Sequence, residues 1–483
     1  MTRRRASLDG PWTIELEPGA EPLPIVVPFT FEAPLSGIGR GDEVHEHVRY
    51  RRSFRVPADW ARSRVLLRFG AVDWRASVSV DGSLVGTHTG GYTSFAFDLG
   101  HLSGEHELVV DVEDPADGFQ PRGKQRGSGG IWYTRATGIW QPVWLEAVPD
   151  VYVRSVTVES PTAVRIETSE PAGVEVRVLG GTDARPWSPE DPALVDVEIT
   201  TESGDAVVVQ TGFRTIERRG SEVLLNGRPR RFRGVLDQGY WPNGVYTAPS
   251  DDALRADVEA AKAMGFDVAR MHVKVADGRW YDWCDRLGLT VAQDIPSPLH
   301  LSTEEARENF THEVVEIVGQ LRRHPCIVMW ILFNEDWGEP PADYQRDLVR
   351  RVRALDPTRL VVDASGWTHR GETDVLDVHD YGEDLSGHAS RDGMPLWVGE
   401  CGGVSLAAAG AREDFAYRRV SSGEELAAEY ARLVGSLGDV AGFVWTQLTD
   451  IEGELNGLYT SARAAKVAPE MIHAVNAREE TDR

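Results

Sequence analysis

Residues 326–335 read CIVMWILFNE, an unbroken apolar run from Cys326 to Phe333 that stops at Asn334 and Glu335. A strand without polar alternation is one buried on both faces, as parallel strands covered by helices are. Residues 395–400, PLWVGE, repeat the pattern and stop at Glu400, before a Cys-Gly-Gly in which the glycines allow a sharp turn. Reading outward, further strands are expected near Arg231–Leu236, Asp267–Val273, Leu289–Asp294, Ile327–Asn334, Leu360–Ala364, Val375–His379, Leu396–Glu400 and Gly442–Thr446. Between them lie helical patterns such as DDALRADVEAAKAMG, TEEARENFTHEVVEIVGQLRR, ADYQRDLVRRVRAL and GEELAAEYARLVGSL. Eight strands alternating with helices over about 260 residues match a (β/α)8 TIM barrel. The helix after the fifth strand is the weak point, because SGWTHRGETD leaves little room for one.

Upstream the period changes. From Trp12 to about Val148, short alternating runs (RVLLRFG, RASVSVDGSLVG, HELVVDVED) separated by Gly, Asp and Pro predict a β-sandwich, with a hairpin turn at Asp81-Gly82. Residues 149–215 continue in β fashion, interrupted by GGTDARPWSPEDP, and at roughly 65 residues are too short for the ~100 of a full immunoglobulin-like sandwich. A hairpin turning at Asn226-Gly227 leads into the barrel. The expected division is 1–148, 149–215 and 216–483.

Composition narrows the functional classes. The 483 residues carry 51 Lys plus Arg against 76 Asp plus Glu, a net charge of −25 that repels polyphosphates and anionic membranes. No nucleic-acid partner is expected. No window reaches the roughly 20 apolar residues of a membrane span, and MTRRRASLDGPW lacks the apolar stretch of a secretory leader. Cys284, Cys326 and Cys401 are odd in number and scattered, which fits a reducing cytoplasm better than a disulfide framework or a zinc knuckle.

Barrel enzymes carry their chemistry at the C-terminal ends of the strands. Glu335 ends the fourth strand and Glu400 the seventh, so their side chains can face each other across the mouth. A facing carboxylate pair serves glycoside hydrolysis, with one ionised as nucleophile and the other protonated as acid, about 5 Å apart when configuration is retained. Each glutamate alone could instead bond backbone or an arginine. Arg270, ending the second strand, is placed to keep Glu400 ionised. Tyr381 in VHDYG can bond the nucleophile, and His379, two residues earlier, points to the same side of its strand, as a core histidine or a ligand-binding one.

The chain also resembles glycoside hydrolase family 2, the β-galactosidases, β-glucuronidases and β-mannosidases, nearly end to end. YRRSFRVP, GGYTSFAFDL, PRGKQ and TGIWQPVWLE are similar to its jelly-roll sugar-binding sandwich. GFRTIE and LLNGRPRRFRGV resemble the entry to its barrel, and AKAMGFDVARMHV, YDWCDRLGL, HPCIVMWILFNEDWG and GFVWTQLTD its interior. The resemblance implies Glu335, following Asn334, as acid/base, Glu400 as nucleophile, and Trp445 as an indole platform beneath the sugar.

The pattern departs from better-known members at several positions. His272, a candidate sugar contact, follows Arg270 by only two residues; Trp132 stands where an acidic sugar ligand is common; Asp237, near a position where others carry histidine, is a candidate hydroxyl ligand; and Asp294 occupies a place often held by Glu. The expected activity is a retaining exo-β-glycosidase acting on a neutral hexoside, β-galactoside first. A glucuronide site typically carries Asn-x-Lys, and none of the asparagines here has lysine two positions on. Of Lys124, Lys262, Lys274 and Lys466, Lys274 is expected nearest the mouth, and arginine can also serve a carboxylate. A β-glucuronidase or other β-hexosidase is therefore the alternative within the family, and a catalytically silent carbohydrate-binding protein the alternative outside it. No metal-ligand spacing appears and no cofactor is required, although a bound divalent or alkali ion and a homo-oligomer are both compatible with the sequence.

Overall fold

The computed structural model describes residues 3–481 apart from 117, 161, 180–184, 389, 391–392 and 408–414, and the side chains of 479–481. Two antiparallel sheets open the chain. One has six strands in the order Leu23–Val27, Gly10–Glu15, His47–Val56, Gly104–Glu113, Arg75–Val80, Ser83–Thr89; the other orders Arg4–Ser7, Val143–Val148, Arg64–Phe69, Phe95–Asp98. Alternate residues such as Ile14, Val48, Tyr50, Leu67, Val110 and Leu145 point between the sheets and are fully buried. The hairpin at Asp81-Gly82 forms as expected: both residues have positive φ (50° and 76°), and Val80 pairs with Ser83.

The next segment is abbreviated. Val153–Ser160 pairs with Ala163–Thr168, and Val174–Leu179, Val195–Thr201 and Ala206–Thr211 form a three-stranded sheet, giving five strands among the described residues where an immunoglobulin-like constant domain has seven. One of its links to the barrel is Trp187, fully buried, whose indole donates to the Asp285 carbonyl at 2.8 Å. The hairpin Glu222–Leu225 to Arg228–Pro229 turns at Asn226-Gly227, again with both φ positive.

The barrel strands are β1 (Phe232–Asp237), β2 (Val268–Met271), β3 (Thr290–Asp294), β4 (Ile327–Ile331), β5 (Leu360–Val362), β6 (Leu376–Asp380), β7 (Leu396–Gly402) and β8 (Gly442–Thr446). They pair in parallel in the order β5-β4-β3-β2-β1-β8-β7-β6. The ring therefore closes except at the β5/β6 seam, where the Asp374 carboxylate and amide bond both backbone polar groups of Val361 instead. Helices α1 (Asp251–Ala263), α2 (Gly278–Leu287), α3 (Glu304–Leu321), α4 (Ala342–Leu355), α5 (Gly423–Ser436) and α6 (Pro469–Thr481) surround it. Ser250, Thr303 and Ser422 cap α1, α3 and α5 through their hydroxyls, satisfying amides left open at each first turn. Among the described residues no helix follows β5 or β6, as the short SGWTHRGETD stretch anticipates for the first of these.

One core spans sandwich and barrel. Tyr92, Tyr133 and Trp140 from the sandwich pack with Tyr240, Tyr246 and Met271 of the barrel. Loop 121–126 docks on the barrel: the Arg122 and Gly123 amides both donate to the Ser297 carbonyl at 2.9 Å. The three cysteines are buried and unpaired, and no helix of the described residues is long and apolar enough to cross a membrane.

Candidate active site

The site grows from β2. Arg270 is fully buried beneath the mouth, and its guanidinium is saturated: Nε and Nη2 donate to Asp294 (3.0 and 2.9 Å), Nη2 to Asn334 Oδ1 (2.9 Å), and Nη1 to Glu400 Oε1 (3.1 Å) and the Gly399 carbonyl (3.0 Å). A buried guanidinium is tolerable only when paired in this way. Asp294 also accepts from His272 Nδ1 at 2.9 Å, fixing that ring, and His272 stands 3.8 Å from Glu400. Tyr381 closes the far side, its hydroxyl donating to Glu400 Oε2 at 2.6 Å. Burial alone would raise the Glu400 pKa. The positive charges of His379 and Arg270, with His272 and the Tyr381 hydrogen bond, outweigh burial and hold it at about 2. Glu400 is thus ionised at any ordinary pH.

Glu335 sits just past β4, where it and Asp336 adopt left-handed backbone (φ 49° and 64°), a conformation uncommon outside glycine and frequent where a chain is bent to aim a functional group. Its amide donates to the Ser365 carbonyl at 2.8 Å. Its Oε1 is 2.6 Å from His379 Nδ1, and the same nitrogen lies 3.5 Å from Glu400 Oε2. His379 therefore bridges the two glutamates, with Ser365 Oγ 2.7 Å from its Nε2. Burial pulls the His379 pKa down, but Glu400 and Glu335 prevail and its net shift is upward. One carboxylate oxygen of Glu335 and one of Glu400 lie within 4.8 Å of each other.

Around this pair is a narrow pocket. Asn334, Glu335, Glu400, His272 and Tyr381 line it, so the structure gathers these with Arg270 and His379 into one constellation. Three other expected residues lie elsewhere. Leu236 faces the pocket, so Asp237, the next residue along the strand, turns to the opposite side, toward Asp257 of α1 and Lys274. Burial and the nearby Asp257 raise the Asp237 pKa to about 6. Trp445 is fully buried between the Gly402 backbone and Tyr430, and the neighbouring Thr446 lines the pocket instead. Trp132 stands behind the wall, its ring 4.9 Å from Trp337, and the neighbouring Ile131 reaches the pocket instead.

The lysine expectation is also corrected. Lys274 lies outside this pocket, donating to the Gly239 and Tyr246 carbonyls with its ammonium 3.9 Å from the centre of the Tyr246 ring. Burial pushes its pKa down to about 7. The pocket lysine is Lys124, from the sandwich loop, 92% buried by side chain and 3.9 Å from Glu454 Oε2. Glu454 is held by the Tyr133 hydroxyl and by Asn456 Nδ2 at 2.9 Å. Sequence reasoning missed Lys124, Glu454, Trp337 and Tyr417, all of which line the pocket. Lys124 belongs to PRGKQ and Trp337 follows Glu335 by two, so both lay inside stretches already singled out.

Two groups among the described residues have metal-ligand proximity: Glu335, His379 and Glu400, and Asp285, His324 and Cys326. In the first, the Arg270 guanidinium already bonds Glu400, and a second cation there would meet its repulsion. The second is closed on itself, with His324 Nδ1 2.6 Å from one Asp285 oxygen and the Cys326 amide 2.9 Å from the other.

Residues 20–149 match the sugar binding domain of glycosyl hydrolases family 2, and residues 216–381 match the TIM barrel domain of that family, together more than half of the chain. The chain belongs to glycoside hydrolase family 2. This family 2 protein is 26% identical over 360 residues to a β-galactosidase of Thermoanaerobacter pseudethanolicus, covering 64% of its own length and 47% of the relative's. It thus spans about half of that protein. It is 22% identical over 583 aligned positions to a β-glucuronidase of Paenibacillus borealis, covering 98% and 97% of the two chains. Among solved structures, a β-glucuronidase from an uncultured Clostridium sp. superposes with a TM-score of 0.82 at 20% identity, covering 99% of this chain and 98% of that one. At that identity the likeness to the solved structure speaks for a shared fold.

Proposed function

We propose that the protein is a retaining exo-β-glycosidase. The observation that carries this reading is the Glu335–Glu400 pair, with oxygens within 4.8 Å of each other and Glu400 held ionised. An inverting pair leaves room for a water and stands roughly 6.5–9.5 Å apart. Glu400 attacks the anomeric carbon while Glu335 gives its proton to the leaving oxygen, forming a covalent glycosyl-enzyme. Glu335 then takes a proton from water, which attacks the same carbon, releases the sugar and frees Glu400. Arg270 and Tyr381 orient the nucleophile, and their hydrogen bonds weaken as its charge is spent on the new bond. A silent sugar-binding protein has no use for this arrangement.

For the sugar, a neutral β-hexoside is the first choice, with β-galactoside ahead on family frequency. Lys124 and Glu454 offer one donor and one acceptor set side by side, as hydroxyls require, and a uronate would meet the Glu454 carboxylate. The second reading is a β-glucuronide. It is favoured by the Lys124 ammonium, which faces the pocket with Glu454 at 3.9 Å as its nearest counter-charge. Hydrolysis of aryl β-galactoside, β-glucoside, β-mannoside and β-glucuronide by the purified protein tests both. The highest kcat/KM is expected on a neutral glycoside. A glucuronide ahead by about tenfold or more, a difference of roughly 1.4 kcal/mol, selects the second reading, and no turnover of any aryl glycoside rejects the glycosidase.

A further inference from the structure

Trp367 is the only exposed tryptophan among the described residues, 62% open to solvent. It lies on the segment after β5 where the barrel has no helix. That segment is firmly tied: Asp363 accepts from His369 Nδ1 (2.8 Å) and the Arg370 amide (2.6 Å), His369 Nε2 lies 2.7 Å from the Asp377 carbonyl, and the Thr368 carbonyl accepts from Gln345 at 3.1 Å. A fixed loop that displays an indole leaves a large apolar ring face available to a ligand beside the site. Its place is specific. The preceding Gly366 packs so closely that a Cβ there would lie 3.4 Å from Glu335 Cγ and 3.5 Å from His379 Nδ1, and the Trp367 ring stands 5.8 Å from the His379 ring, edge to face.

We infer that Trp367 is the platform for the leaving group, and that this leaving group is itself a sugar ring, so that the natural substrate is an oligosaccharide. The inference rests on Glu335 being the acid of the proposed reaction: the departing oxygen takes the Glu335 proton, so the departing group must lie on the Glu335 side of the pocket, where Trp367 stands. A pyranose offers an apolar C–H face to an indole. It also needs hydrogen-bonding partners around that face. Asp336, next to Glu335, keeps 39% of its side chain open, and Arg370, three residues beyond Trp367, keeps 35% open with its Nη2 4.0 Å from Asp336 Oδ1. An alkyl aglycone would use neither.

The test compares Trp367→Ala, Trp367→Phe and wild type on two kinds of donor carrying the glycone selected by the aryl panel, β-galactose first. One is the glycosyl fluoride, whose leaving group has no ring; the other is a set of β-1,3-, β-1,4- and β-1,6-linked disaccharides ending in glucose. For the best disaccharide, kcat/KM is expected to fall about tenfold in Trp367→Ala, chiefly through KM, and to recover in Trp367→Phe, while the fluoride changes by less than about twofold. Equal loss on both donors, no loss on the disaccharide, or wild-type cleavage of the fluoride with no disaccharide cleaved overturns the inference and leaves the glycosidase reading standing. A wild type inert toward the fluorides of all panel glycones overturns both.

Discussion

At the scale of single residues the proposed chemistry turns on how unequal two glutamates are. Glu400 is gripped by Arg270 and Tyr381, whereas Glu335 meets His379 and keeps 19% of its side chain open. Removing the Tyr381 hydroxyl frees one oxygen of Glu400 from its aim at the anomeric carbon, so Tyr381→Phe should lower kcat on an aryl glycoside by roughly 10- to 100-fold through lost orientation and raise the pH at which its acid limb falls. Glu335→Ala should spare substrates with good leaving groups, lose those with poor ones and be partly rescued by azide, because a good leaving group needs little protonation. A third prediction concerns pH and stability. The folded state lowers the Glu400 pKa from 4.5 to about 2, so its stabilisation is complete above its unfolded value and is lost as pH falls through the folded one. Urea denaturation of wild type should show unfolding free energy falling between about pH 5 and pH 2, with a shallower fall in Glu400→Gln. The glutamates and their arginine were legible in the sequence because each stands near the C-terminal end of a strand; the sides taken by Asp237 and Trp445 were not, since shifting one residue along a strand reverses the face.

Among the elements, β4 and β7 announced themselves as uninterrupted apolar runs, and β8 falls on Gly442–Thr446 as expected. Loops were harder to read. A strand's pattern records what buries it, but the docking of loop 121–126 depends on Ser297 and Val273, some 150 positions away. Gly123 shows the constraint: its φ is 57°, and a Cβ there would stand 2.2 Å from the Val273 carbonyl oxygen. Gly123→Ala must push the loop, and Lys124 with it, off the barrel. The expected result is a loss in kcat/KM of about tenfold or more on the preferred aryl glycoside with a melting temperature lowered by only a few degrees, since strain at one backbone position costs roughly 1–3 kcal/mol. Unchanged kinetics would mean that Lys124 does not touch the sugar.

On the scale of the whole molecule, the division at 148 and 215 is a proposal about sequence segments, while the packing is continuous across it. Tyr92 donates its amide to Glu313 of α3 at 3.0 Å, and Trp187 is enclosed against α2. A chain begun after residue 148 is therefore expected to expose the Tyr240–Tyr246 face, lose the pocket wall and show no glycosidase activity even where circular dichroism finds the barrel folded. The order of sandwich, short β-segment and barrel was legible because hydrophobic period changes from two to alternating strand and helix; the identity of the pocket lysine was not, because it depends on that inter-segment packing. The central claim is that Glu400 becomes covalently bound to the sugar, and the most direct measurement is trapping with a 2-deoxy-2-fluoro-β-glycosyl fluoride of the preferred glycone followed by peptide mass spectrometry. Time-dependent inactivation with one fluoroglycosyl unit on the peptide carrying Glu400 is predicted; a label on another residue, or near wild-type turnover by Glu400→Ala, would contradict it.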